Sequence, residues 1–172
     1  MPLTSTPPPP QLRDRPGPVR VLVADDEEPL RRAYARILEA AGFEVVQAAN
    51  GREARDACLR ESFDVIVSDI SMPEMDGVQV LRAVRERDLD VPVVFITAVP
   101  SVESAAAAVE LGALRYLVKP VSVDTLVATV EHADRLHRIA RAKREAAALV
   151  GASDRFVGDR AGLEAGFARA LD

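Results

Sequence analysis

Four apolar runs in this chain each stop at a polar residue. Val19 to Ala24 ends at Asp25-Asp26, Val65-Ile66-Val67 at Ser68-Asp69, Val93 to Ile96 at Thr97, and Leu117-Val118 at Lys119-Pro120. A further run covers Phe43 to Ala48. The runs are near-continuous in Val, Ile and Leu rather than alternating with polar residues, which marks strands covered on both faces. Between them lie stretches with helical spacing. Leu30, Tyr34, Ile37, Leu38 and Ala41 follow Pro29 and stop at Gly42; Ala54, Ala57 and Cys58 follow Asn50-Gly51; Val80, Leu81 and Val84 follow Gly77. Ser101 is placed to cap a fourth helix that runs to about Leu111, and a fifth starts near Val123. Strand and helix alternate five times with short connections, which predicts a doubly wound parallel α/β domain over about residues 19–133.

The bulk numbers allow one such domain and an appendage. The chain has 172 residues, is 48% apolar and carries a net charge of −5, which gives no reason to expect nucleic acid. The single cysteine, Cys58, excludes an internal disulfide framework and fits a reducing compartment. No apolar stretch nears the roughly 20 residues needed to span a bilayer, and the N-terminus lacks a signal-peptide core, so a cytoplasmic protein without a membrane role is expected. Residues 1–18 are proline-rich and read as a disordered or polyproline-type leader.

In a parallel α/β sheet, ligands bind beyond the carboxyl ends of the strands. There the sequence places Asp25 and Asp26, Asp69, Thr97 and Lys119. Clustered carboxylates repel one another unless a cation is present, and two or three carboxylates with waters suit Mg2+. A hydroxyl and an ammonium beside them can meet the equatorial oxygens of a transferring phosphoryl group, with a carboxylate as nucleophile. An Asp at one strand end is ordinarily a cap or turn residue; polar residues at the same ends of four strands point to a site.

These segments, VLVADDEEPL (21–30), DVIVSDISMPEMDG (64–77), VVFITA (93–98) and GALRYLVKP (112–120), resemble the receiver domain of two-component response regulators over about residues 19–135. The expected architecture is then a flavodoxin-like five-stranded parallel sheet of order 2-1-3-4-5 with an extended C-terminal helix. The resemblance implies that Asp69 is the phosphoacceptor, that Asp26 ligates Mg2+ directly and Asp25 mainly through water, and that the backbone carbonyl of Ser71 completes the protein ligands. It implies that Thr97 and Lys119 contact phosphoryl oxygens and that the Lys119-Pro120 bond is cis. Tyr116 matches the switch aromatic, which rotates inward as Thr97 moves. Pro73 stiffens the loop after Asp69, and Gly77 lets the next helix begin close by. The partners implied are a histidine kinase and an output domain or partner protein. A homodimer would form through the fourth helix, fifth strand and fifth helix, or through the C-terminal helix.

Helix-compatible residues run from Val123 to about Val150, so residues 136–150 extend the last helix, with Leu136, Ile139, Ala140, Ala146 and Leu149 as a weak apolar stripe. Residues 151–158 read as a linker before a short helix with Leu163, Phe167 and Leu171 spaced by four. That segment, DRAGLEAGFARALD, resembles the lead-in of an EAL domain, the cyclic-di-GMP phosphodiesterase, and would open an output domain. A stand-alone receiver acting through its long helix is the alternative. An Mg2+-dependent aspartyl-phosphate phosphohydrolase is a rival of another class. It needs an Asp two residues after its nucleophile, where Asp69 is followed by Ser71 and Asp25 by Glu27. No separate enzymatic output is expected within this chain.

Overall fold

The computed structural model describes residues 17–87 and 90–168, and side chains as far as residue 150. The leader at 1–16, Leu171, and the side chains of Leu163 and Phe167 lie outside the described residues. Strands and helices alternate as β1 (Arg20–Ala24), α1 (Glu28–Ala40), β2 (Glu44–Ala48), α2 (Gly51–Arg60), β3 (Val65–Asp69), α3 (Gly77–Arg85), β4 (Val93–Thr97), α4 (Val102–Glu110), β5 (Arg115–Val118) and α5 (Val123–Ala168). The five strands form one sheet in the order β2-β1-β3-β4-β5, every neighbouring pair parallel. This is the expected flavodoxin-like order.

The absence of polar alternation in the strands has a direct structural cause. Val21 and Val23 of β1, Val65 and Val67 of β3, and Val94 and Ile96 of β4 join Tyr34 and Leu38 of α1 and Leu126 and Val130 of α5 in one core. The intervening residues, Leu22, Ala24, Ile66 and Phe95, pack with Ala54, Val80, Leu81 and Ala108 of α2, α3 and α4 in a second. Each large side chain buried this way stabilises the fold by about 1.5–3 kcal/mol. With both faces covered, the strands have no solvent face for polar residues to occupy.

Local chemistry sets the helix starts. The Asn50 side chain accepts the Glu53 N–H at 2.8 Å, and the Glu53 carboxylate accepts the Ala49 N–H at 2.8 Å, closing the start of α2. Asp76 and Gln79 make a reciprocal capping box at α3. Ser101 caps α4, as its position before an apolar run suggested. Helix α1 has no side-chain cap and relies on Pro29 in its first turn.

The chain forms two compact units, the first ending at His137 and the second starting at Arg138. Within the second, α5 continues unbroken to Ala168, so the break expected at Gly151 is not made. Glycine inside a helix costs only about 1 kcal/mol relative to Ala. Gly151 and Gly158 stand singly among helix-compatible neighbours, with no proline to end the helix. Leu136, Ile139, Leu149 and Val150 are exposed.

Candidate functional site

Because the strands are parallel, their carboxyl ends share one rim, and four of them deliver the site. Asp25 follows β1 directly and is buried, Asp69 ends β3 and is buried, Thr97 ends β4 and is fully buried, and Lys119 follows β5. The Lys119-Pro120 peptide bond is cis. The Lys119 ammonium donates to Asp25 Oδ2 at 2.8 Å and to Asp69 Oδ2 at 2.9 Å, and lies 3.6 Å from Glu27 Oε1. Side-chain exposure is 7% for Lys119, 3% for Asp25 and 5% for Asp69, so this charge group is shielded from water.

Electrostatics at the rim are unbalanced. Burial pushes the Asp69 carboxyl above its ordinary range; the hydrogen bond and charge of Lys119 and the Ser71 N–H pull it back, and the Asp25 charge adds to the rise. Burial also opposes the charge on Lys119, yet hydrogen bonds to Asp25 and Asp69 outweigh it and hold the ammonium above the usual lysine value. Both values rise, which favours the charge on Lys119 and opposes it on Asp69, for a geometric reason: a single ammonium is shared by two carboxylates, so it is fully partnered while Asp69 is not.

The supporting shell is built from backbone. Asp69 Oδ1 accepts the Ser71 N–H at 3.1 Å, and the Ser68 hydroxyl donates to the Asp69 carbonyl at 2.8 Å. Asp25 Oδ1 accepts the Glu27 N–H at 2.9 Å, and Arg31 Nη1 donates to the Asp25 carbonyl at 2.8 Å. After Asp69 the loop folds back on itself, with Met75 N donating to Pro73 O and Gly77 N to Ile70 O, and Glu74 takes a φ of 66°. A Cβ at Gly77 would overlap the Asp69 carbonyl oxygen, so this glycine permits the approach of α3 to the strand end. Met72 is buried and packs in the core.

Not every expected residue joins the group. The carboxylates whose oxygens lie within 4.8 Å of one another are those of Asp25, Glu27 and Asp69. Asp26, expected as the direct metal ligand, is exposed and outside that group, whereas Glu27, also exposed, is within it. The local reason is the turn after β1, where the Glu27 N–H is held by Asp25 Oδ1. The Thr97 hydroxyl accepts the Val99 N–H at 3.2 Å and so faces the β4–α4 loop. Tyr116 is half-buried, its hydroxyl 2.8 Å from Ser104 Oγ. Two contributors were missed in the sequence. Arg31 acts through a backbone carbonyl, which leaves no motif. Gly51 lies where a Cβ would overlap the Met75 carbonyl oxygen, a close approach that no sequence spacing marks.

The sequence profile of the response regulator receiver domain matches residues 21–131. The transcriptional regulatory protein PrrA of Mycobacterium tuberculosis is 45% identical over 112 residues, covering 65% of this chain and 48% of PrrA. The regulatory protein AtoC of Escherichia coli is 38% identical over 117 residues, covering 68% of this chain and 25% of AtoC. Among solved structures, the Vibrio cholerae chemotaxis protein CheY4 superposes with a TM-score of 0.64 at 35% identity, covering 68% of this chain and 99% of CheY4. A Burkholderia pseudomallei response regulator, solved with a phosphorylated aspartic acid and a calcium ion, is 32% identical with a TM-score of 0.60, covering 64% of this chain and 65% of that one. This chain belongs to the response regulator receiver domain family. It spans about half the length of PrrA and a quarter of AtoC. Receiver domains of this family bind Mg2+ at an acidic pocket, and the hard oxygen donors of Asp25, Glu27 and Asp69 fit that ion.

Two outcomes follow from the charge balance. Lys119→Met leaves Asp25 and Asp69 buried without their counter-charge, so urea unfolding at neutral pH in a chelator should show a loss of about 3–5 kcal/mol. The loss should narrow on acidification as carboxylates protonate. Asp69→Asn should act in the opposite sense. A carboxyl raised in the folded protein favours folding below the ordinary carboxylate range, and that advantage is lost as pH rises through the raised value. Melting in a chelator should therefore show the Asn variant above the parent at neutral pH, with the gap closing as pH falls into the carboxylate range.

Proposed function

We propose that this chain is the phosphoacceptor switch of a two-component pathway and that Asp69 carries the phosphoryl group. The observation that supports this most is the single Lys119 ammonium bonded to the buried carboxylates of both Asp25 and Asp69. It puts a mobile positive charge beside a nucleophile that burial leaves short of stabilisation. In the reaction, an Asp69 carboxylate oxygen forms a bond to phosphorus as the P–N bond of a histidine kinase's phosphoimidazole breaks. The departing imidazole retains the electron pair and is protonated. Lys119 is placed to follow the phosphoryl oxygens as they arrive.

Asp25, Asp69 and the Ser71 carbonyl would hold Mg2+, with a third carboxylate from Glu27, which faces the group, or Asp26, which family resemblance assigns. A bound Mg2+ would offset the negative charge gathered on these carboxylates and on the phosphoryl oxygens. Thr97 would turn its hydroxyl from the Val99 N–H to a phosphoryl oxygen, and Tyr116 would move inward behind it. The exposed Val102, Val109, Val118 and Val123 of α4, β5 and α5 support that face as the surface read by a partner or a second copy. Residues 138–168 would relay the change to an output domain. The resemblance of 159–172 to the lead-in of a cyclic-di-GMP phosphodiesterase has no counterpart in the family match, which ends at residue 131. Among the described residues no helix is long and apolar enough to cross a membrane, in keeping with a cytoplasmic switch.

Incubation with acetyl phosphate and Mg2+ should add one phosphoryl group by intact-mass spectrometry. Asp69→Asn or a chelator should abolish the addition, and labelling that persists in Asp69→Asn removes the proposal. The two candidate ligands separate by titration: whichever of Asp26→Asn and Glu27→Gln weakens Mg2+ binding about tenfold or more supplies the third carboxylate. Equal, small effects from both would leave Asp25 and Asp69 as the only carboxylate ligands.

A further inference from the structure

The Tyr116 hydroxyl is held by a closed set of hydrogen bonds at the start of α4. Tyr116 OH lies 2.8 Å from Ser104 Oγ and accepts the Ser101 N–H at 3.3 Å. The Ser101 hydroxyl donates to Ser104 Oγ at 2.9 Å, and Ser104 Oγ donates to the Ser101 carbonyl at 3.1 Å. Ser101 Oγ in turn accepts the Ser104 N–H at 3.0 Å. One assignment of protons satisfies every bond. The Ser104 proton goes to the Ser101 carbonyl, so Tyr116 is the donor to Ser104 and the acceptor from the Ser101 amide.

The same stretch is tied to Thr97. Thr97 Oγ1 holds the Val99 N–H and Tyr116 OH holds the Ser101 N–H, with Pro100 between them. Proline has no N–H and a fixed φ, so it joins the two held amides through a stiff link. Residues 98–101 are exposed. Helix α4 is anchored at its far end, where Arg85 donates to the Leu111 carbonyl at 3.0 Å, to the Gly112 carbonyl at 3.0 Å and to the Val91 carbonyl at 2.8 Å. The N-terminal end of α4 is therefore the end that can yield.

We infer that Ser104 is a positioning residue: its hydroxyl holds Tyr116 in its resting, half-buried position and sets how much phosphorylation is needed to release it. This rests on the reading of Tyr116 as the switch residue. When Thr97 turns to the phosphoryl group, the Val99 amide loses its acceptor and the loop relaxes. The Ser101 amide then moves off Tyr116 OH, and the Ser104 bond is the last restraint on the ring. Removing it lowers the barrier in the resting protein without touching the phosphorylation chemistry.

The full chain contains two tyrosines, Tyr34 and Tyr116. Labelled with 3-fluorotyrosine, it gives two fluorine resonances, and the one lost in Tyr116→Phe reports the switch ring. It should shift when beryllofluoride and Mg2+ are added. In Ser104→Ala the resonance should already be displaced part-way without beryllofluoride. Half-saturation should need roughly two- to tenfold less of it, the range one neutral hydrogen bond carries. Alanine has the higher helix propensity, so this variant folds. Ser104→Thr, which keeps the hydroxyl, should restore the parent behaviour; a merely structural role would move thermal stability and leave the resonance in place. Coincident resonances and titrations for Ser104→Ala and the parent overturn the positioning role. A Tyr116 resonance that ignores beryllofluoride in the parent, while Asp69 accepts phosphoryl groups, instead defeats the switch reading and the inference with it.

Discussion

One ammonium ties three strands together at the rim. Lys119 follows β5 at the sheet edge, yet it bonds Asp25 after β1 and Asp69 at the end of β3, reaching past the end of β4. Asp69 tolerates burial because that charge is present, and its carboxyl is still raised because the charge is shared with Asp25. An arginine would bind a carboxylate through a rigid planar fork. A lysine is a point charge on a flexible stem, able to stay with two carboxylates or follow new oxygens. In a chain with 22 basic residues, of which only Lys119 and Lys143 are lysines, the choice at this position has a chemical reason.

The floor of the site is stiff and its far wall is yielding. On the β3–α3 side, Gly77 lets α3 approach the Asp69 backbone, and Gly51 lets the Met75 carbonyl press against the start of α2. Neither contact leaves room for a side chain, so the loop carrying Ser71 to Asp76 is fixed between two helices. On the β4–α4 side, residues 98–101 are exposed, and the amides of Val99 and Ser101 take side-chain hydroxyls as partners. The two sides of the rim therefore differ in how they are held: by close backbone packing on the β3–α3 side and by side-chain hydroxyls on the β4–α4 side.

Strand order and the residues that gather at the rim were legible because each depends on a one-dimensional pattern. Continuous Val and Ile runs mark strands buried on both faces, and a polar residue at the end of each run marks the rim. What remained hidden depends on backbone and on distance. Nothing in DDEEP says which of Asp26 and Glu27 faces Asp69; the Asp25–Glu27 turn decides it. Arg31 supports the site through the Asp25 carbonyl and Ser104 through a hydroxyl twelve residues from Tyr116, neither at a spacing that any motif encodes. Gly151 and Gly158 read as a break because glycine favours one, but their penalty is small beside the propagation of a long helix.

α5 is the covalent route from the rim to the residues that follow it. It begins at Val123, three residues after Pro120, and within the first unit it runs to His137. That is fourteen steps of helix, about 21 Å at 1.5 Å per residue, packed through Leu126, Val130 and Ala133 against β1, β3 and β4. His137 Nδ1 lies 3.8 Å from Asp64, just before β3, and Asp64 also accepts the Arg20 N–H at 2.8 Å at the start of β1. The helix is thus seated along its length in the core opposite the one that holds Phe95 and α4. A change confined to α4 and β5 reaches it first through Leu117 and Val121, which pack against the same core. Because interiors are close-packed, a displacement there is felt by the part of the helix that lies within the first unit.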